Sequence, residues 1–214
     1  MVTAVRRRAQ EDAGVSLPEV LVTMAIFSAV MAIVFQALIA VQSQTSKVEG
    51  SAAAVSQVRA GLAQIDKQIR SGNVLYSPAD EPAAVASCTS AGTAGTCMRV
   101  YTQANGTQRC VQWQVIADPA RPGTSMLRSR GWAAGPVNVS SWATVARGLS
   151  TSPSVMPFTL QGGATAYKSR LLDVRLEAVD PRRPGKPIVI SSSLAGRNTN
   201  YGYDTGLCSP VPPE

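Results

Sequence analysis

The order of apolar and polar positions changes character twice along this chain. From Val20 to Ser46 no side chain is charged, and Leu, Val, Ile, Met and Phe fall on every side of any helix wound through the run. As an α-helix the run would be about 40 Å long, enough to cross a hydrocarbon layer of roughly 30 Å. Thr23, Ser28 and Gln36 interrupt it, and the two hydroxyls can bond back to the helix backbone. Beyond Lys47 the apolar positions thin to a stripe. Val48, Ser51, Val55, Val58, Leu62, Ile65 and Ile69 recur at alternating spacings of three and four, which lays one face of a polar helix against a partner surface. Gly50 and Gly61 weaken that helix slightly, and Ser71-Gly72-Asn73 supplies its stop. The pattern predicts a helix from Leu17 to Arg70, about 80 Å in all.

After Asn73 the period shortens to two. In "CMRVYTQANGTQRCVQWQVIA" the pair Asn105-Gly106 suits a tight type I′ turn. That turn sets Val100 opposite Val111 and Met98 opposite Trp113, and it gathers Met98, Val100, Val111, Trp113 and Val115 on one face of a half-buried hairpin. "SMLRSRGW" follows an Arg-Pro-Gly turn and reads as the next strand, with Arg128 and Arg130 on its solvated face. "VMPFTLQ" and "SRLLDVRLEAV" are further strands. The second places Leu172, Val174, Leu176 and Ala178 inward, and Asp173, Arg175 and Glu177 outward. "IVISSSL" returns antiparallel after the turn "DPRRPGKP", and the tail "TGLCSPVPPE" reads as loop or disorder. A long helix followed by an antiparallel sheet is an α+β arrangement. The expected divisions are a leader at 1–14, a membrane-spanning helix at 15–46, its amphipathic extension at 47–71, and a β-rich outer domain at 72–214, about the usual size of one domain.

Composition removes several function classes. The chain has no histidine, which excludes His-based triads and most zinc sites. No Ser-Lys spacing or acid pair recommends a catalytic centre, so no catalytic residue, metal or cofactor is expected and the chain reads as a non-enzyme. The net charge of +7 is scattered, with basic runs only at Arg6–Arg8 and Arg182–Arg183. Without residues 1–14 there are 17 basic against 11 acidic side chains, a charge of +6 that admits DNA as a partner but argues little for it alone. Cys88, Cys97, Cys110 and Cys208 have no CxxC spacing and read as two disulfides of an oxidising compartment. The hairpin register sets Cys97 opposite Gln114 and Cys110 opposite Tyr101, too far apart to bond to each other. Cys88–Cys97 with Cys110–Cys208 is therefore preferred, and Cys88–Cys110 with Cys97–Cys208 stays open.

The basic cluster Arg6–Arg8 before the apolar run orients the chain N-terminus inside and outer domain outside. A cleaved secretory signal fits poorly, because Leu38 stands where a small residue belongs before a cut at Ala40. A plain anchor explains the length of the run but neither Gly14 nor the single acid, Glu19, at its mouth. Ser16, Pro18 and Glu19 also suit a capping box, in which Ser16 and Glu19 satisfy each other's amides.

The string "RRRAQEDAGVSLPEVLVTMAIF" resembles the leader of type IV pilins and pseudopilins: a short basic leader ending in Gly, a small or apolar residue, an acid at the fifth position after the cut, then an uncharged helix. The resemblance implies cleavage between Gly14 and Val15 by a prepilin peptidase, methylation of the new amine of Val15, and pairing of that amine with Glu19 of a neighbouring subunit. It implies membrane insertion through residues 20–46 before assembly, and afterwards an extracellular filament built with other pilin subunits by a pilus assembly machinery. Two departures stand out. The first residue after the cut is Val where Phe is commonest, and "VMAIVFQALIA" lacks the mid-membrane proline usual in major pilins. The large, strand-rich outer domain resembles minor pilins and minor pseudopilins, with a tip or priming role in adhesion, DNA uptake (competence) or secretion.

Overall fold

A computed structural model describes residues 15–103, 106–133, 138–162, 170–180, 185–196, 203–204 and 206–213. The expected leader, Asn105 of the expected tight turn and residues 181–184 of "DPRRPGKP" lie outside the described residues. The chain divides into two compact units that meet between Lys47 and Val48. The amphipathic half of the helix thus belongs with the sheet, not with the apolar half.

Helix α1 spans Leu17–Arg70. Its end is handled by Ser71, whose hydroxyl bonds the carbonyls of Lys67 and Gln68 at 3.0 and 3.1 Å. Gly72 is not a left-handed cap; it is required because a Cβ there would sit 2.6 Å from Val100 Cγ2. Of the expected stripe, Val58, Ile65 and Ile69 are buried, Leu62 is partly buried, and Val48 is exposed. Gly61 joins the buried face. A Cβ on it would meet Leu127 Cδ2 at 3.0 Å, so the missing side chain lets helix and sheet approach.

The sheet is antiparallel and curled. Its strands are β1 (Gly72–Leu75), β2 (Ser90–Ala91), β3 (Ala94–Gly95), β4 (Cys97–Thr102), β5 (Arg109–Ala117), β6 (Ser125–Trp132), β7 (Ala143–Leu149), β8 (Phe158–Leu160), β9 (Leu171–Ala178) and β10 (Ile188–Ala195). They run in the order β1-β4-β5-β6-β7-β9-β8-β3-β2, with β10 on β9. The β4–β5 register pairs Val100 with Val111, Met98 with Trp113, Cys97 with Gln114 and Tyr101 with Cys110, as the alternation required. The last pair of the ladder is Thr102–Arg109, short of the pairing a two-residue turn would allow, and Gly106 takes a positive φ of 76°. Strands β1, β2, β3 and β7 are additions to the sequence reading.

One sheet face packs on α1. Val58, Ile65 and Ile69 join Met98, Val100, Val111, Trp113, Val115, Leu127, Phe158, Leu172, Val174, Leu176 and Ala178 in a single apolar core. The opposite face was expected to be solvated, and here the structure corrects the reading. Every residue of β4 is buried, and Arg130 is only 4% exposed. The cause is the tail, which is ordered over this face with Cys208 and Val211 packed against Tyr101, Cys110 and Trp132. Pro210, Pro212 and Pro213 bring no N–H groups, so this segment offers acceptors and cannot ladder as a strand. Arginines meet it instead. Arg130 donates to the carbonyls of Pro213 and Pro212, both at 2.7 Å, and Arg99 donates to the carbonyl of Cys208 at 2.8 Å. Behind them Glu81, in the one-turn helix Glu81–Ala83, accepts from Arg99 at 2.9 Å and from Gln112 at 3.0 Å, and Gln112 accepts from Arg130 at 3.0 Å. Burial pushes the Glu81 carboxyl above its usual range, and Arg99 and Gln112 pull it partly back.

Arg128 is partly buried, stacked 4.1 Å from the Trp142 ring and bonded to Gln114. Glu177, also expected outside, is buried and accepts from the amide and hydroxyl of Ser154 at 3.1 and 2.6 Å. Asp173 is partly buried between Gln161 and Ser193. Disulfides join Cys88 to Cys97 and Cys110 to Cys208.

Cys110–Cys208 closes a loop with a sequence separation of 98, and replacing both cysteines by Ser should lower stability by up to ~4.7 kcal/mol in the chain-entropy model. Equilibrium denaturation of the full chain in detergent, monitored by tryptophan fluorescence, measures it; an unchanged midpoint would contradict the strap's structural weight. Asp118 supplies a pH signature. Hydrogen bonding from Arg147 holds its carboxyl below the ordinary range. Its contribution is therefore fully present above the unfolded value of about 3.9 and lost as pH falls through the lower folded value. Asp118→Asn should be less stable than the parent at pH 6, with the gap closing in strong acid.

Candidate functional site

The candidate site is the N-terminal end of α1 with the uncharged run behind it. The first turn closes on the main-chain carbonyl of Ser16, which accepts from the amides of Glu19 and Val20 at 3.0 and 3.2 Å. For the Glu19 amide the carbonyl thus replaces the hydroxyl acceptor expected of a capping box. Pro18 sits where a missing N–H leaves no bond unmade. Glu19 is exposed in the first turn of the helix, where the unpaired amides favour a negative charge by ~0.3–1 kcal/mol. Val15, the first described residue, is exposed one turn away.

Behind Glu19, every residue from Val20 to Thr45 is exposed. Leu21, Phe27, Ile33, Phe35 and Ile39 each show more than half of their surface. A helix apolar on all sides and uncovered suits a lipid or protein medium, not water. Three of its hydroxyls are satisfied internally: those of Thr23, Ser28 and Thr45 donate to the carbonyls of Val20, Met24 and Val41 at 2.9, 2.8 and 3.0 Å. By length and composition it is the one described helix able to span a membrane.

Residues 11–35 match the model of the prokaryotic N-terminal methylation motif, which covers the end of the expected leader, Glu19 and the first turns of this helix. The chain carries the type IV pilin signature. No curated protein and no solved structure matches it significantly. The signature implies that this pilin-like protein is processed by a prepilin peptidase and assembles with other pilins, and its apolar helix fits anchoring in the membrane beforehand. Gly14, the residue before the implied cut, lies outside the described residues.

The four cysteines lie in the second compact unit, where they staple loops and tail to the sheet. Among the described residues no group of three or more acids, cysteines or histidines is placed to hold a metal. The sequence reading missed a polar cleft between α1 and the sheet, lined in part by Lys67, Gln68, Arg109 and Trp113.

The pilin-like helix makes a direct prediction. Ile33→Lys puts an ammonium at the middle of the run, which costs about 2.5–3.5 kcal/mol on insertion scales. The variant should shift from the carbonate-resistant membrane fraction toward the soluble or degraded fraction, and full retention in the membrane would contradict the spanning role.

Proposed function

We propose that the protein is a structural subunit, of the minor pilin or minor pseudopilin kind, in a type IV pilus-like filament. The observation that carries this reading is the conjunction at the N-terminal end of α1: the methylation motif at residues 11–35 and the exposed carboxylate of Glu19 one turn from Val15, ahead of an uncharged helix. In this reading the peptidase cuts between Gly14 and Val15, and the new amine of Val15 is methylated and stays cationic. Within a filament the amine of an incoming subunit pairs with Glu19 of its neighbour. A lone carboxylate at the edge of a membrane is unfavourable, and mutual neutralisation favours the assembled state and sets the axial register.

Residues 20–46 hold the subunit in the membrane until then, with the N-terminus cytoplasmic, and the β-rich head is carried outside. The size and strand content of the head support a tip or priming position over a place in the filament wall. Adhesion, DNA uptake and secretion all use such filaments, and the mature charge of +6 suits contact with DNA no better than contact with any other acidic partner.

Two substitutions test the reading. Gly14→Leu should leave the leader attached, read from the intact mass of the protein. Glu19→Ala should be cleaved normally yet fail to enter filaments, read by immunoblot of the sheared surface fraction. Normal incorporation of Glu19→Ala would refute the pairing. An uncleaved parent chain would point instead to a single-pass anchored binding domain that does not assemble.

A further inference from the structure

A cleft of about 370 Å³ opens within the second unit between the last turns of α1 and the helix-facing side of β5 and β6. It exists because β6 tapers. Across from Val115, Trp113 and Val111, the residues of β6 are Leu127, Ser129 and Gly131. Leu127 fills the space against Gly61, Ser129 fills less, and Gly131 fills none. Arg109 lies in the space left, since a Cβ on Gly131 would stand 2.7 Å from its Nε. Lys67 faces the same cleft from the helix, and no acid is among the lining residues.

Two buried polar atoms at this cleft have no hydrogen-bond partner, the indole Nε1–H of Trp113 and the side-chain oxygen of Gln68. Trp113 is 2% exposed. A buried group of this kind is costly to leave unmade and rare in native folds. Neither Lys67 nor Arg109 has an acidic partner among the described residues. The dipole of α1 accounts for a cation at Lys67, but not for Arg109, the taper of β6 or the two orphaned atoms.

We propose that this cleft binds an acidic peptide segment of a partner protein, with a carboxylate held by Lys67, Arg109 and the indole N–H of Trp113, and an adjacent peptide N–H donated to Gln68. The oxygen of Gln68 decides the class. It needs a donor, which the backbone beside an Asp or Glu side chain supplies and a phosphodiester does not. The planar fork of Arg109 suits a carboxylate as it does a phosphate, so the choice between them rests on the donor that Gln68 needs. The site lies in the head and does not depend on the N-terminal helix assembling.

The test uses the full chain in detergent, titrated with the blocked tripeptide acetyl-Ala-Glu-Ala-amide while the assigned indole N–H resonance of Trp113 is followed by NMR. The expected result is a saturable shift with millimolar affinity, weakened about tenfold or more in Lys67→Ala and in Arg109→Ala, the size of one charge-assisted hydrogen bond. Both positions are exposed, so these variants keep the fold. Arg121→Ala, which lines a different cleft, should bind as the parent does. The proposal fails if the resonance does not move, or if the double variant Lys67→Ala, Arg109→Ala responds as the parent. It fails equally if acetyl-Ala-Gln-Ala-amide binds as well, or if inorganic phosphate or a short oligonucleotide binds more tightly than the acidic peptide.

Discussion

The head depends on the close approach of one helical stripe to a sheet. Val58, Gly61, Ile65 and Ile69 must lie against Val100, Val111, Val115 and Leu127 with no side chain between Gly61 and the leucine. An apolar contact of this kind is non-directional and scales with area; the geometry comes from where bulk is absent. A methyl group would collide with Val100 at Gly72 and would crowd the end of Leu127 at Gly61. The intrinsic cost of a glycine in a helix, about 1 kcal/mol, is offset by the contact it permits.

The second face of the sheet obeys different chemistry. Apolar packing around Cys110, Trp132 and Cys208 is joined by a chain of charged and amide groups running from Arg99 through Glu81 and Gln112 to Arg130. Guanidinium groups are weakly hydrated and present several donors in one plane, so they can be buried where a row of proline-rich carbonyls answers them. The prolines and the arginines explain each other. Neither would be comfortable without the other, and removing one partner of such a buried network leaves the remaining charge uncompensated.

Much of this was legible from residue spacing. The helix bounds, the β4–β5 register and the inward face of β9 follow from periods of 3.6 and 2, and the motif was legible because Gly14, Val15 and Glu19 stand at fixed separations before an uncharged run. What escaped has a common physical cause. Arg128, Arg130 and Glu177 alternate with apolar residues as a solvated face does, and alternation cannot tell water from a covering segment far along the chain. Cys208 was the available hint, since a tail bonded to Cys110 must lie over the face from which Cys110 projects. Strand β7, "ATVARGL", has no clean alternation, and β2 and β3 are too short to carry any. The cleft was hidden because a taper from Leu127 to Gly131 acquires meaning only when the helix above it is in place.

The strap over β4 to β6 also says something about the order of events. Arg99 and Arg130 point at carbonyls that lie some hundred residues downstream, the separation of Cys110 from Cys208 being 98. Until that stretch arrives, the guanidiniums have water as their partner and the sheet has one dry face and one wet face. Long-range closure of this kind slows folding, yet it leaves the half-made sheet charged on its open side, and charge on an open surface discourages the strand-to-strand association that an apolar one invites. The arginines that bind the tail thus also set charge among Tyr101 and Trp132, the apolar residues that the tail covers.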